Sequence, residues 1–162
     1  MISTRKVKNR RKLRFESFDD AVRDAEMLAE AERDGTLRPL GNWQLEQAIG
    51  HLASWARYPL DGYPPLPEPP WLLRVIAPLF KGRFLNKGLP AGGRIPSIPA
   101  GTLATEPLET DRALAELREA FPRLLSQAPT VSNPILGSMT HEEWIKLNLR
   151  HAELHLSFFQ PK

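Results

Sequence analysis

The chain has 162 residues, of which 41% are hydrophobic and 25% charged, and it contains no cysteine. That length and apolar content can bury one core, so a single domain over residues 1–162 is expected, and the missing cysteines exclude disulfide scaffolds, iron–sulfur clusters, thiolate zinc sites and cysteine nucleophiles. The formal charge of +3 is uneven, because residues 1–14 hold seven Lys or Arg and no acid, which leaves about −4 on the rest.

Taken in chain order, the basic residues Arg5, Lys6, Lys8, Arg10, Arg11, Lys12 and Arg14 read as a solvated, disordered tail. Phosphate binding through them ranks behind that reading. No apolar h-region follows, and no run approaches the ~20 residues that span a bilayer. A soluble, cytoplasmic protein without a membrane partner is therefore expected. Phe18, Ala21, Val22, Ala25, Leu28 and Ala29 recur with the 3.6-residue period and predict a first helix over residues 18–34. After Gly35, Pro39 and Gly41, Asn42 is a fair N-cap for a second helix over 43–58, stopped by Pro59. Its buried stripe is Leu45, Ala48, Ile49, Leu52 and Ala56.

Residues 59–107 hold eleven of the sixteen prolines, and no long regular element fits there. A short helix over residues 71–85, disturbed by Pro78, is the exception. Trp71, Ile76, Phe80 and Phe84 are too apolar for a free linker and predict an ordered covering segment. A third long helix follows Thr110, with Ala113, Leu114, Leu117, Phe121, Leu124 and Leu125 on one face and a kink at Pro122. Thr140 and Glu143 then form a capping box that opens the last helix, over residues 141–158. Four long amphipathic helices, one short one and no strand period predict an all-α, antiparallel bundle with a long Pro/Gly-rich crossover outside it.

The chemistry concentrates on the last helix. Trp144, Leu147, His151, Leu154, His155 and Phe158 share one face at 100° per residue, so two histidines on adjacent turns point inward. Burying two unpartnered imidazoles costs on the order of 1–3 kcal/mol each, which a shared ion would offset. Each could instead be a core histidine with its own hydrogen bond. His51, bordering the apolar stripe of the second helix, completes a candidate set of three nitrogen ligands, His51, His151 and His155. Such a set leaves a position open for water or substrate. His141 is expected to cap or to face solvent. Glu153 points about 200° away from His151 and is expected to be solvated, so the zinc-protease pattern does not apply. Asn148 lies on the histidine side. Ile145, Leu149, Ala152 and Leu156 form a second stripe, suited either to the covering segment or to a homodimer face. No catalytic residue beyond the ligands is indicated.

With His51 in Gly50-His51-Leu52-Ala53, and His151 and His155 in residues 149–155, the chain resembles the DinB-like (DinB/YfiT) metal-binding superfamily over about residues 18–158. It is similar to one uncharacterised branch, through residues 60–64, 88–92 and 137–144. That branch has a histidine before Pro134, where this chain carries Asn133, which counts against a ligand or polar role there. The resemblance implies an up-up-down-down four-helix bundle and a divalent transition metal, with zinc or nickel ahead of iron or manganese. It also implies frequent homodimers and, in some relatives, metal-dependent transferases or isomerases that use low-molecular-weight thiols, so a metal-dependent thiol transferase or hydrolase-like enzyme is the leading expectation. A non-catalytic, metal-stabilised stress-response module is the alternative, followed by nucleic-acid or partner binding through the basic N-terminus.

Overall fold

The computed structural model describes residues 2–66, 70–95, 98 and 101–162, and at 73 and 74 the backbone alone. The chain is mostly helical, with one small sheet among the described residues. Its helices are α1 (Phe18–Arg33), α2 (Leu45–Asp61), α3 (Trp71–Ile76), α4 (Lys81–Lys87), α5 (Thr110–Ser126) and α6 (His141–Leu156), with 3₁₀ turns at Thr4–Lys6 and Ala77–Phe80. Strands β1 (Leu37–Pro39) and β2 (Phe159–Pro161) pair antiparallel, with Arg38 opposite Gln160.

The helix starts follow local chemistry. Ser17 Oγ accepts the Asp20 N–H at 3.2 Å while Asp20 accepts the Ser17 N–H at 3.0 Å, which opens α1. Thr140 and Glu143 do the same for α6, as the sequence predicts. Each box satisfies two of the donors that a helix start leaves free.

The predicted faces meet in one cluster. Ala21, Ala25 and Leu28 of α1, Ala48, Ile49 and Leu52 of α2, Leu117, Phe121 and Leu124 of α5 and Leu149, Ala152 and Leu156 of α6 are all buried in it. Burying each large side chain there contributes roughly 1.5–3 kcal/mol. Phe18 stacks on Phe121 with ring centres 4.3 Å apart. The second stripe of α6 therefore belongs to this core, and neither a covering segment nor a partner copy faces Leu149, Ala152 or Leu156. That stripe was expected to meet the covering segment or a second copy, whereas α1 and α2 both pack against α6.

Several boundaries differ from expectation. Asn42 does not cap α2; its side chain holds Ile2 through bonds of 2.8 and 2.9 Å, and Gln44 occupies the cap position. Pro59 does not stop α2. In a last turn a proline forfeits only one backbone bond, and the helix ends at Gly62, whose φ of +101° suits glycine. The helix α5 runs through Pro122. The last helix ends at Leu156, since Phe159–Pro161 turns back to pair with β1.

The basic segment is no loose tail where it passes α6. Arg11 grips Asp24 with two bonds of 2.8 and 2.6 Å, donates to Leu156 O at 3.1 Å, and its N–H donates to Ser157 O at 3.1 Å. Arg10 sits 4.7 Å above the Phe158 ring. This strap buries Glu153, which was expected in solvent and is 9% exposed. Its carboxylate accepts the Phe15 N–H at 2.7 Å and pairs with Arg150 at 3.1 Å, and Arg150 in turn donates to Phe15 O at 2.7 Å. The helical wheel placed Glu153 correctly opposite His151; it could not show what lay on that side.

Other polar residues also have structural work. Asn133, buried, accepts the Ile135 and Leu136 N–H groups at 2.9 and 2.8 Å and closes the loop that returns to Gly137. It thus has a polar role, against expectation. His141 Nε2 donates to Leu124 O at 2.7 Å and so satisfies a carbonyl in the last turn of α5. The helical stretch 71–87 forms where expected, but Trp71, Ile76 and Phe80 stand exposed rather than covered. Parts of the expected covering segment, at 67–69, 96–97 and 99–100, lie outside the described residues. No helix among the described residues is long and apolar enough to cross a membrane.

Candidate metal centre

The packing of α2 on α6 brings His51 to the histidine pair. His151 Nε2 lies 3.2 Å from His51 Nε2 and 3.0 Å from His155 Nε2. One nitrogen from each of the three rings lies within 4.8 Å of the others. His51 is 2% exposed, whereas His151 and His155 are half-buried. Asn148 is on the same side, but its amide donates to Trp144 O at 3.0 Å and stays in the helix.

Protons alone cannot satisfy this cluster. The Nδ1–H of His51 is set to donate to Leu103 O, 2.8 Å away, which leaves its Nε2 a lone pair. His151 Nε2 then faces two ring nitrogens and carries at most one hydrogen, which serves only one of the contacts well. Burial pushes the His51 imidazole down to about 4. Burial also holds His151 and His155 well below the usual imidazole range, helped by the neighbouring imidazoles. All three therefore stay neutral at pH 7 and present acceptors to one point. Two nitrogens bound about 2.1 Å from one ion lie roughly 3.0 Å apart at 90° and about 3.4 Å apart at the tetrahedral angle. The two separations at His151 fit that range, and the three residues could hold a metal ion. His155 also lies in the last turn of α6, where free carbonyls favour a cation.

Aromatic rings wall the cluster. Trp43 stacks on His155, with centres 4.9 Å apart and planes within 2°, and meets His51 edge-on. Trp55 stands 5.8 Å from His51 and 5.9 Å from His151, and Tyr58 and Tyr63 back it. Burial pushes the Tyr63 phenol up. These walls keep water off the rings they cover, while His151 and His155 are themselves partly exposed.

The supporting residues escaped sequence reasoning. Leu103 closes the crossover, and nothing in its surroundings marks its carbonyl as a partner for His51. Residues 103–108 lie across one face of α2: Gln47 Nε2 donates to Thr105 O at 2.8 Å, and a Cβ at Gly50 would meet Leu108 Cδ1 at 3.0 Å. Ala104 takes a left-handed φ of +54° to make this path, at a cost of about 1 kcal/mol for a non-glycine residue. Only the 47, 50, 51 spacing of a single helical face hinted at it.

Fold and cluster define a mostly helical protein with three histidines able to hold a metal ion. The chain belongs to a family of proteins of unknown function, DUF1569, whose model matches residues 7–162. Neither a curated protein nor a solved structure matches it.

Proposed function

We propose that this chain, and its family with it, is DinB-like: an up-up-down-down four-helix bundle in which His51, His151 and His155 bind one divalent transition metal, zinc or nickel ahead of iron or manganese. We propose further that the site is catalytic, serving transfer to a small-molecule thiol or a hydrolase-like reaction. The observation that carries this reading is the double contact of His151 Nε2, at 3.2 and 3.0 Å, with two ring nitrogens that the same proton cannot serve. Three protein ligands leave a coordination position free, and the partial exposure of His151 and His155 supports access to it.

When bound, the ion would supply Lewis acidity, lowering the pKa of a coordinated thiol or water. The protein's own part is orientation and shielding. Leu103 O fixes the tautomer of His51, Trp43 fixes the plane of His155, and Trp55 excludes water behind His51 and His151. A homodimer, if formed, uses a surface other than the buried stripe of α6. The tryptophan walls also suit a second reading, in which the ion only stabilises the bundle.

Cobalt(II)-loaded protein titrated with a small thiol separates the two. A thiolate-to-cobalt charge-transfer band, absent in His151→Ala, supports the open catalytic site. Full cobalt loading with no spectral response to thiol or azide supports the closed, stabilising one.

A further inference from the structure

The exposed stretch 71–87 plays no part in the metal centre. Within ten residues it exposes six large apolar side chains: Trp71 (75%), Leu79 (80%), and also Leu72, Val75, Ile76 and Phe80. A chain that stays free in water seldom leaves so dense an apolar run uncovered.

Charge indicates what covers it. Residues 69–105 contain five Lys or Arg and no acid. On α4, Arg83 and Lys87 are exposed one turn apart, and Arg94 is exposed beyond them. Arg5 of the N-terminal segment reaches the loop after α4, since a Cβ at Gly92 would fall 2.6 Å from Arg5 Cγ. Arg5 therefore lies against that loop, with the exposed Lys6 and Lys8 close by in the chain. Residues 1–14 and 69–105 together hold twelve cations and no acid, which leaves about −9 on the rest of the chain.

We infer that the protein docks on anionic lipid surfaces through residues 71–87, with Trp71, Leu72, Val75, Leu79 and Phe80 entering the interface and Arg83 and Lys87 facing phosphate headgroups. An anionic bilayer surface matches both halves of the feature, apolar side chains and clustered cations, and tryptophan favours that depth. A nucleic acid would use the cations and leave the apolar run in water. The docking is interfacial. The sequence expectation of no membrane partner rested on the lack of a spanning run, which an interfacial segment does not need.

Cosedimentation with vesicles of phosphatidylcholine alone, or with about 30% phosphatidylglycerol, tests this on the full chain. Binding is expected to the anionic vesicles only and to weaken with added salt. It should fall about tenfold in Trp71→Ala/Leu79→Ala and in Arg83→Glu/Lys87→Glu, with helical circular dichroism unchanged. No binding to anionic vesicles, or undiminished binding by either double variant, overturns the inference. So does a dimer in light scattering that Trp71→Ala/Leu79→Ala dissociates, which would assign the face to a second copy. Tighter binding to an oligonucleotide than to vesicles, insensitive to Trp71 and Leu79, would assign the cations to nucleic acid instead.

Discussion

His151 Nε2 has to serve two neighbouring nitrogens, and most of the site's behaviour follows from that. With the three imidazoles held neutral by burial, the metal-free protein keeps its full stability above the unfolded-state imidazole pKa of about 6.5. As pH falls below that value the unfolded chain takes up protons that the fold refuses, and stability drops until the folded groups protonate, near about 4 for His51. The slope approaches roughly 1.4 kcal/mol per pH unit for each imidazole excluded from protonation. Urea midpoints between pH 7.5 and 5 should therefore fall steeply in metal-free wild type and less steeply in His51→Asn. Equal slopes would mean that the cluster protonates freely in the fold. The His51 tautomer is a second check: nitrogen-15 spectra of metal-free protein should show the proton on Nδ1, held by Leu103 O. A proton on Nε2 would remove the argument for a lone pair at the centre.

Among the elements, two straps decide what the helices can do. Residues 103–108 set His51 from outside α2, and Gln47→Ala removes the hydrogen bond to Thr105 O. Such supporting contacts are worth about 10- to 100-fold in metal affinity, so zinc competition should show Gln47→Ala weakened about tenfold with its helices intact. Unchanged affinity would reduce the strap to a cover. The second strap, residues 10–15, buries the Glu153–Arg150 pair. Removing one partner of a buried pair strands the other charge, so Glu153→Ala should cost about 3 kcal/mol in urea unfolding. A loss below about 1 kcal/mol would place that side of α6 in water after all.

Both straps were invisible in the sequence for a physical reason. A helix announces itself through periodic burial, which is why the faces of α1, α2, α5 and α6 and the spacing of His151 and His155 could be read. A strap is held by backbone atoms and single charged residues, such as Leu103 O and Arg11, that carry no period. Strands of three residues, each ending in a proline, likewise show no alternation, so the pairing of β1 with β2 was missed.

At the scale of the whole molecule, the helical framework and the histidine triad are one construction. The capped start of α6 fixes its register, its core stripe fixes its rotation against α1 and α2, and together these aim His151 and His155 at His51. Net charge is divided at the same scale, positive over residues 1–14 and 69–105 and negative over the rest of the chain. Alanine at any one histidine should therefore empty the site, and the bundle should persist because the large apolar side chains of its core stay in place. The most direct measurement is metal analysis of untagged, natively purified protein, comparing wild type with His51→Ala and His151→Ala at equal concentration and with matched circular dichroism. About one equivalent of a divalent transition metal is expected in the wild type and almost none in either variant. No metal in the wild type after incubation with zinc and nickel, or equal metal in all three proteins, would contradict it.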